Sequence, residues 1–226
     1  MARHRTAGRL LAGVAIAVLG GCDSTPRAAS TDGGPEAGEH FRLGLVAAAE
    51  GRNDDAITLF SAAIRSDPGR AEFLAARATV HLAQNRPTEA LADLERAVRL
   101  EPKSAAFLSN RAQVYRRFGR TDDAAADLDQ ALEIDSGFVA AWFNRGSLHF
   151  ENEDFLVALR DFSRAIELAP GEAPPYFNRA VTHDALGRRD LARADLDRFL
   201  ELTDQEVWRR VAEALRDDWE HQRPQG

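Results

Sequence analysis

Three histidines recur at one place in a repeated pattern, and they are the first residues whose chemistry needs a test. His81, His149 and His183 are separated by multiples of 34 residues, and histidine nitrogens bind zinc or carry protons. Packed helices lie about 8–10 Å apart, whereas a zinc-bound nitrogen lies about 2 Å from the ion. Equivalent histidines of successive units are too distant to share an ion, so we expect packing residues with a polar tip. We predict no metal ion and no cofactor.

The sequence motifs of common enzymes are absent. Lys103 is the only lysine, so there is no phosphate-binding GK loop, and G-x-S-x-G, H-E-x-x-H and G-x-G-x-x-G do not occur. Acidic residues are numerous, but an acid that recurs once per repeat is more simply a solvated or ion-paired group than a general acid or base. We predict that the protein is not an enzyme.

Arginine and aspartate recur together, 16 residues apart. The pairs are Arg77 with Asp93, Arg111 with Asp127, Arg145 with Asp161, and Arg179 with Asp195. Leu43 and Leu59 replace both members in the first unit, so the two positions change together. This pattern predicts four structural ion pairs, each between the two helices of one repeat.

The only cysteine, Cys22, follows a basic leader and the apolar run Leu10 to Leu19. Residues 1–21 therefore read as a signal peptide, since the run is too short for a comfortable membrane span. Leu19-Gly20-Gly21-Cys22 resembles the lipobox of bacterial lipoproteins, which implies a lipid such as palmitate on Cys22. The alternative is an ordinary secretory leader with a chance cysteine. The lipobox reading places the protein in the bacterial cell envelope, on the inner or outer membrane, facing the periplasm or the cell surface.

Removal of the leader takes away three arginines and leaves 26 basic against 36 acidic residues, a formal net charge of −10. This acidity argues against nucleic acid as a partner. Residues 22–36 combine the lipidated cysteine with a Ser-, Thr-, Pro- and Gly-containing segment that we expect to be a flexible tether.

A 34-residue unit positions all of these side chains. It repeats at 37–70, 71–104, 105–138, 139–172 and 173–206 without insertion or deletion, and its clearest marker is an alanine at position 20: Ala56, Ala90, Ala124, Ala158 and Ala192. Position 8 is always small, position 24 is Phe or Leu, and Pro68, Pro102 and Pro170 end the second helix. The turn between the helices carries Gly51, Asn85, Gly119 and Gly187, with Glu153 as the exception.

This pattern resembles the tetratricopeptide repeat (TPR). The resemblance implies an all-α, right-handed α-solenoid of five helix pairs. In this family positions 2, 5, 6, 9, 12 and 13 line the concave face, and asparagine at position 6 holds bound peptide in several cases. The candidate peptide-binding residues are therefore Asn110, Asn144, Asn178, Gln113, Arg116, Arg117, Phe143, Ser147, Phe150 and Phe177. The alternative is that the asparagines satisfy local backbone and the phenylalanines pack between repeats.

Residues 205–221 form a predicted final helix with Trp208 and Trp219 on its apolar face. Thr203 and Glu206 match a capping box at its start. We interpret this helix as the cap of the solenoid, and residues 222–226 as a disordered tail. The alternative is a helix that binds a partner or a second copy.

The residues and the resemblance together predict a membrane-anchored scaffold or assembly factor. It would bind another envelope protein or an extended peptide, with membrane contact through the lipid on Cys22. The rival is a structural self-assembly module, in which the Trp208 and Trp219 helix forms a homodimer and the groove is only packing.

Overall fold

The computed structural model describes residues 35–221, which form eleven α-helices and no strand. The helices are α1 Pro35–Ala49, α2 Asn53–Ser66, α3 Ala71–Ala83, α4 Pro87–Leu100, α5 Ala105–Arg117, α6 Thr121–Ile134, α7 Val139–Glu151, α8 Phe155–Leu168, α9 Ala173–Ala185, α10 Arg189–Leu202 and α11 Glu206–His221. The all-α fold class and the five helix pairs agree with the sequence. The predictions for the leader, for Cys22 and the tether up to residue 34, and for the tail at 222–226 lie outside the described residues. Residues 35 and 36, predicted as the end of the tether, instead begin helix α1.

The described residues divide into two compact units, which we call the N-terminal unit (residues 35–141) and the C-terminal unit (residues 142–221). In the N-terminal unit α1 packs on α2, α3 on α4 and α5 on α6, and α2 and α4 also contact the first helix of the following pair. In the C-terminal unit α9 packs on both α8 and α10, and α10 packs on α11. Each unit is thus a stack of antiparallel helix pairs.

Every helix pair turns through the same backbone motif. In the first pair, Gly51 N–H donates to Ala48 O at 3.0 Å and Arg52 N–H donates to Ala47 O at 2.8 Å, which satisfies carbonyls left open at the end of the helix. The turn residue has a left-handed backbone, with φ values of 73° at Gly51, 56° at Asn85, 68° at Gly119, 64° at Glu153 and 72° at Gly187. Glu153 adopts this conformation although it has a side chain, so the exception in the sequence is not an exception in the backbone.

The two helices of a pair are held close by complementary sizes at positions 8 and 24. A Cβ atom added at Gly44 would lie 2.6 Å from the Phe60 ring, and one at Gly146 would lie 2.8 Å from the Phe162 ring. Glycine therefore accompanies phenylalanine, whereas alanine accompanies leucine in the other three repeats, at Ala78 and Leu94, Ala112 and Leu128, and Ala180 and Leu196. These alanine, leucine and phenylalanine side chains are all buried.

Helix α11 covers the end of the last repeat. Ala212, Leu215 and Trp219 are buried in a cluster with Phe177 and Phe199. The capping box is not formed, because Thr203 Oγ1 accepts from Gln205 N–H at 3.3 Å and not from Glu206.

Arginines instead join α11 to α10. Arg209 of α11 donates to Leu200 O at 2.9 Å, and Arg193 of α10 donates to Trp219 O at 2.8 Å. Each helix thus supplies a cation to carbonyls at or near the C-terminal end of the other, where the helix dipole favours positive charge.

Candidate protein-binding face

The four expected Arg–Asp pairs are present and bidentate. In each, the arginine Nε and Nη2 donate to the two oxygens of the aspartate at 2.7–2.9 Å. The aspartates are buried and the arginines are about one-fifth exposed. The hydrogen bond to Asp127 raises the pKa of Arg111, and the one to Asp195 raises the pKa of Arg179. The pairs fix the first helix of a repeat, and hence its outward residues, against the second helix.

Two of these arginines also reach the preceding repeat, which the sequence pattern did not reveal. Arg77 Nη1 donates to Ser61 Oγ at 2.8 Å, and Arg179 Nη1 donates to Ser163 Oγ at 3.0 Å. Both serines lie at position 25, and a polar residue occurs there in the first four repeats. The recurring polar residue at position 25 was the sequence signal that could have predicted this contact. In repeats 2 and 5 the position 7 arginine therefore fixes both the helix pair and its stacking on the preceding repeat.

His81 and His183 lie beside these pairs. His81 Nε2 is 4.0 Å from Asp93 Oδ2, and His183 Nε2 is 3.9 Å from Asp195 Oδ2. The Nδ1 atoms of both rings are buried without a hydrogen-bond partner. Burial lowers the pKa of both histidines, against the attraction of the aspartates. His149 Nδ1 is also buried without a hydrogen-bond partner, and it lies 3.7 Å from Asp154 Oδ2.

In the N-terminal unit, the first helices carry accessible polar groups. Asn110, Gln113 and Arg116 on α5 are half-buried, and Arg117 is exposed. Arg117 Nη1 donates to Leu82 O on α3 at 3.3 Å, so the Arg117 side chain extends from α5 to α3. Carboxamides that remain accessible can both donate to and accept from a peptide backbone.

Sequence reasoning missed the residues that accompany them on α1 and α3. Leu45 and Thr79 share position 9 with Gln113 and are exposed, and Ala49 and Ala83 share position 13 with Arg117 and are also exposed. We call Leu45, Ala49, Thr79, Ala83, Asn110, Gln113 and Arg117 the inner face of the N-terminal unit. It combines an apolar, small-residue part with a polar, cationic part. The sequence could have revealed this face, because its residues are positions 9 and 13 of three successive repeats together with position 6 of the third.

The C-terminal unit is different, and it corrects two of the predicted contact residues. Phe143 is 3% exposed and Phe177 is 1% exposed. The ring centroid of Phe143 lies 5.7 Å from that of Phe162, and Phe177 lies 5.0 Å from Phe199 and 5.9 Å from Trp208. Phe143 and Phe177 are therefore core residues, in line with the alternative that the phenylalanines have a packing role. Neither ring is accessible to a ligand.

The asparagines of this unit are buried as well. Asn178 Nδ2 donates to Ser147 Oγ at 3.3 Å, and Ser147 Oγ donates to Phe143 O at 3.0 Å. Asn144 is also buried, and Phe150 is half-buried, 5.4 Å from the ring of Phe155. Asn178 thus joins α9 to α7 in this structure, whereas Asn110 of the N-terminal unit is half-buried.

Within residues 35–221, no three His, Cys, Asp or Glu side chains are arranged to hold a metal ion together. The helices of this range are all too short or too polar to span a membrane.

Family models now identify the repeat. A tetratricopeptide repeat model matches residues 28–71, 41–105, 75–137 and 109–173, and a second model of this repeat matches residues 173–206. The chain belongs to the tetratricopeptide repeat family. A comparison with curated proteins gave no significant match.

Solved structures of TPR proteins share the fold. A thermophilic TPR protein of Thermus thermophilus is 22% identical, with a TM-score of 0.70 over 80% of this chain and 98% of that one. Pseudomonas aeruginosa pilF is 20% identical, with a TM-score of 0.70 over 81% and 86% of the two chains. YrrB, a TPR protein with an unusual peptide-binding site, is 19% identical, with a TM-score of 0.56 over 77% and 90%. At these identities the likeness is one of fold.

Proposed function

We propose that this TPR protein is a non-catalytic, lipid-anchored scaffold of the bacterial cell envelope, and that it binds an extended segment of another protein on the inner face of the N-terminal unit. The observation that carries the proposal is the contrast between the two units. Asn110 and Gln113 are half-buried and Arg117 is exposed, whereas Asn144, Ser147 and Asn178 are buried. The TPR fold and the peptide-binding site of YrrB support this use of the fold.

The inner face has the chemistry for a peptide with an apolar anchor and an acidic group. Leu45 and the alanines offer apolar contact, the amides of Asn110 and Gln113 match a peptide backbone, and Arg117 offers a cation for a carboxylate. Arg117 already donates to a carbonyl of α3, so its side chain is partly ordered before binding. This reduces the entropy that binding must remove.

The anchor is proposed from the sequence alone. Cys22 is the only cysteine and closely follows the apolar run of the leader. Several acyl chains on one residue contribute about 0.8 kcal/mol per buried CH₂ and hold a protein at a membrane stably.

The alternative of a dimer through Trp208 and Trp219 gains no support. Trp219 is 3% exposed and Trp208 packs edge-on against Phe177, so these aromatic surfaces are already used within the chain.

Capture from detergent-solubilised envelopes tests the binding face. The full-length chain is compared with a variant in which Asn110, Gln113 and Arg117 are alanine. A matched control carries Thr88→Ala, Arg99→Ala and Gln130→Ala, which are exposed residues on the second helices of the same unit. We expect the inner-face variant alone to lose its partner. Equal capture by all three proteins would contradict the proposed face.

The anchor has its own test. Cys22→Ser is expected to remove palmitate labelling and to release the protein from the membrane pellet, whereas Ser24→Ala leaves both unchanged. Membrane association that persists without Cys22 would contradict lipid anchoring and would leave the binding face untouched.

A further inference from the structure

A chain of four polar residues joins repeat 2 to repeat 1. Both oxygens of Asp93 accept from Arg77, whose Nη1 donates to Ser61 Oγ of repeat 1 at 2.8 Å. His81 completes the chain, with Nε2 4.0 Å from Asp93 Oδ2. We call the contact made by these four residues joint 1–2.

The same chain joins repeat 5 to repeat 4. Arg179 binds both oxygens of Asp195 and donates through Nη1 to Ser163 Oγ of repeat 4 at 3.0 Å. His183 Nε2 lies 3.9 Å from Asp195 Oδ2. We call the contact made by these four residues joint 4–5.

Repeats 3 and 4 do not reproduce this arrangement. In repeat 3, Tyr115 replaces the histidine, and Glu95 of the preceding repeat replaces the serine. A tyrosine stays neutral near pH 7, so repeat 3 has no group at this position that gains a charge in weak acid. In repeat 4, His149 Nδ1 lies 3.7 Å from the exposed carboxylate of Asp154, which could accept from a protonated ring. Repeat 3 therefore serves as an internal reference for the two joints.

Each joint accommodates a neutral histidine but not a protonated one. The side chains of His81 and His183 are 7% and 12% exposed, and both Nδ1 atoms are buried without a hydrogen-bond partner. A protonated imidazole carries two N–H donors. The Nδ1–H would be buried without an acceptor, which is unfavourable. The Nε2–H would compete with the arginine for an aspartate that already accepts two hydrogen bonds.

The charged groups around His81 leave a proton on this ring uncompensated. Asp93 and Glu89 of α4 attract the proton, whereas Arg77 on the same helix and Arg86 in the following turn repel it. Asp93 is paired with Arg77 at 2.7 Å, and Glu89 is paired with Arg86 at 2.8 Å. Protonation of His81 therefore gives this group one excess positive charge.

The surroundings of His183 have the same bias. Asp195 of α10 attracts a proton on this ring, whereas Arg179 on the same helix and Arg188 in the following turn repel it. Burial lowers the pKa of His183, as it lowers that of His81, against the attraction of the aspartate. Both rings are therefore better protonated in water than in the closed joint.

We propose that joints 1–2 and 4–5 are acid-sensitive, and that each joint opens when its histidine takes up a proton. Opening lets the charged ring reach water and breaks the arginine–serine bond that ties the two repeats together. A histidine exposed in the open joint has the ordinary pKa of about 6.5. Because the closed joint binds the proton less readily, each joint is most stable above about pH 7.5 and weakens as the pH falls through about 6.5.

Joint 1–2 lies between two helices that carry the inner face. Leu45 and Ala49 belong to α1 of repeat 1, and Thr79 and Ala83 belong to α3 of repeat 2. Opening of joint 1–2 would separate these residues, so weak acid would release a peptide bound there. This consequence rests on the proposed function, whereas the two joints do not.

Hydrogen exchange of the full-length protein at about pH 7.5 and about pH 5.5 tests the joints. Uptake is corrected for the pH dependence of intrinsic amide exchange. Between these pH values, a histidine that is protonated only in the open joint raises the open population at most about ten-fold. We expect corrected exchange to become at least about three-fold faster at pH 5.5 in α2 and α3 and in α8 and α9. Helices α5 and α6 of repeat 3 should change little.

Reciprocal variants assign the acid response to single histidines. His81→Gln should remove it from α2 and α3 and retain it in α8 and α9, and His183→Gln should do the reverse. A third variant, Ser61→Glu, copies Glu95 of repeat 3. Burial raises the pKa of Tyr115, and the charge of Glu95 adds to that rise, so an acid at position 25 acts on the residue at position 11. Ser61→Glu should therefore compensate a protonated His81 and weaken the acid response of joint 1–2.

Three results would overturn the proposal. Equal acceleration in every helix would mean general unfolding in acid, and no acceleration would mean that the joints stay closed. A response of α2 and α3 that persists in His81→Gln would assign it to another group, such as His40 of α1. Because these measurements use the protein without a peptide, none of the three results decides whether the inner face binds one.

Discussion

At the scale of single residues, the Arg–Asp pairs combine two roles. Each brings two charges out of water, which is unfavourable unless the geometry and further hydrogen bonds compensate. The bidentate contacts at 2.7–2.9 Å, with a third bond to a position 25 serine in two repeats, supply that compensation. Loss of one partner leaves the other charge stranded and partly buried.

Asp127→Ala is therefore expected to lower the free energy of unfolding by about 3 kcal/mol or more. The matched control is Asp123→Ala on the same helix, whose exposed pair with Arg120 contributes less than about 1 kcal/mol. Urea denaturation of both variants measures the difference. The double variant Arg111→Leu with Asp127→Leu copies the leucines of repeat 1 and should recover most of the loss. Equal effects of Asp127→Ala and Asp123→Ala would show that burial of the pair has no energetic consequence.

The buried histidines predict a dependence of stability on pH. Burial lowers the pKa of His81 and His183 in the folded protein, with Arg77 and Arg86 acting in the same sense on His81 and Asp93 and Glu89 acting against it. A lowered folded pKa means that the unfolded chain binds the proton more readily, so stability is complete above about pH 7.5 and falls as pH decreases through about 6.5.

Replacing both histidines with glutamine should flatten this dependence. The measurement is the free energy of unfolding at about pH 8 and about pH 5.5. The value at the higher pH reports any packing loss, and the difference between the two pH values reports the histidine charge. If the free energy of unfolding differs between the two pH values as much in the double variant as in the original chain, His81 and His183 are not the source of the pH dependence.

At the scale of helices, packing is set by the matched sizes at positions 8 and 24. Gly146→Ala would favour the helix by about 1 kcal/mol on intrinsic propensity alone. The new methyl group would lie 2.8 Å from the fully buried Phe162 ring and 3.2 Å from Asp161 Cβ. Overpacking of this kind costs about 1–3 kcal/mol, so we expect net destabilisation.

The double variant Gly146→Ala with Phe162→Leu gives repeat 4 the pair found in repeats 2, 3 and 5 and is expected to restore stability. Thermal unfolding of the two variants beside Phe162→Leu alone checks this. If Gly146→Ala alone is as stable as the original chain, the Phe162 ring can move to make room for the new methyl group. That result would contradict the expected overpacking.

Much of this helical framework could be predicted from the sequence, because it depends on local or paired positions. The left-handed turns at Gly51, Asn85, Gly119 and Gly187 follow from the residue types, and the ion pairs follow from two positions that change together. The same turn at Glu153, which the sequence marked as an exception, did not follow from its residue type. The burial of Asn144 and Asn178 could not be predicted in the same way. An asparagine at position 6 has the same chemistry in every repeat, whereas its accessibility depends on side chains from other helices, as the bond from Asn178 to Ser147 shows.

At the scale of the whole molecule, stability is a sum over repeats and their neighbours. The cluster that buries Trp219 is built from residues of the last two repeats and of α11. Trp219→Ala should cost about 3–5 kcal/mol locally. Because a repeat is coupled to its neighbours and only weakly to distant ones, the loss should appear as faster amide exchange in α9 to α11, with little change in α1 to α4.

Hydrogen exchange followed by mass spectrometry resolves these segments. Val207→Ala is the control, because Val207 lies on the same helix but is 71% exposed, so its truncation removes few contacts and should leave exchange unchanged. Faster exchange throughout the chain in Trp219→Ala would mean that all five repeats unfold together. Faster exchange confined to the last repeat would show that α11 acts as a local cap, which leaves the inner face of the N-terminal unit formed and free to bind.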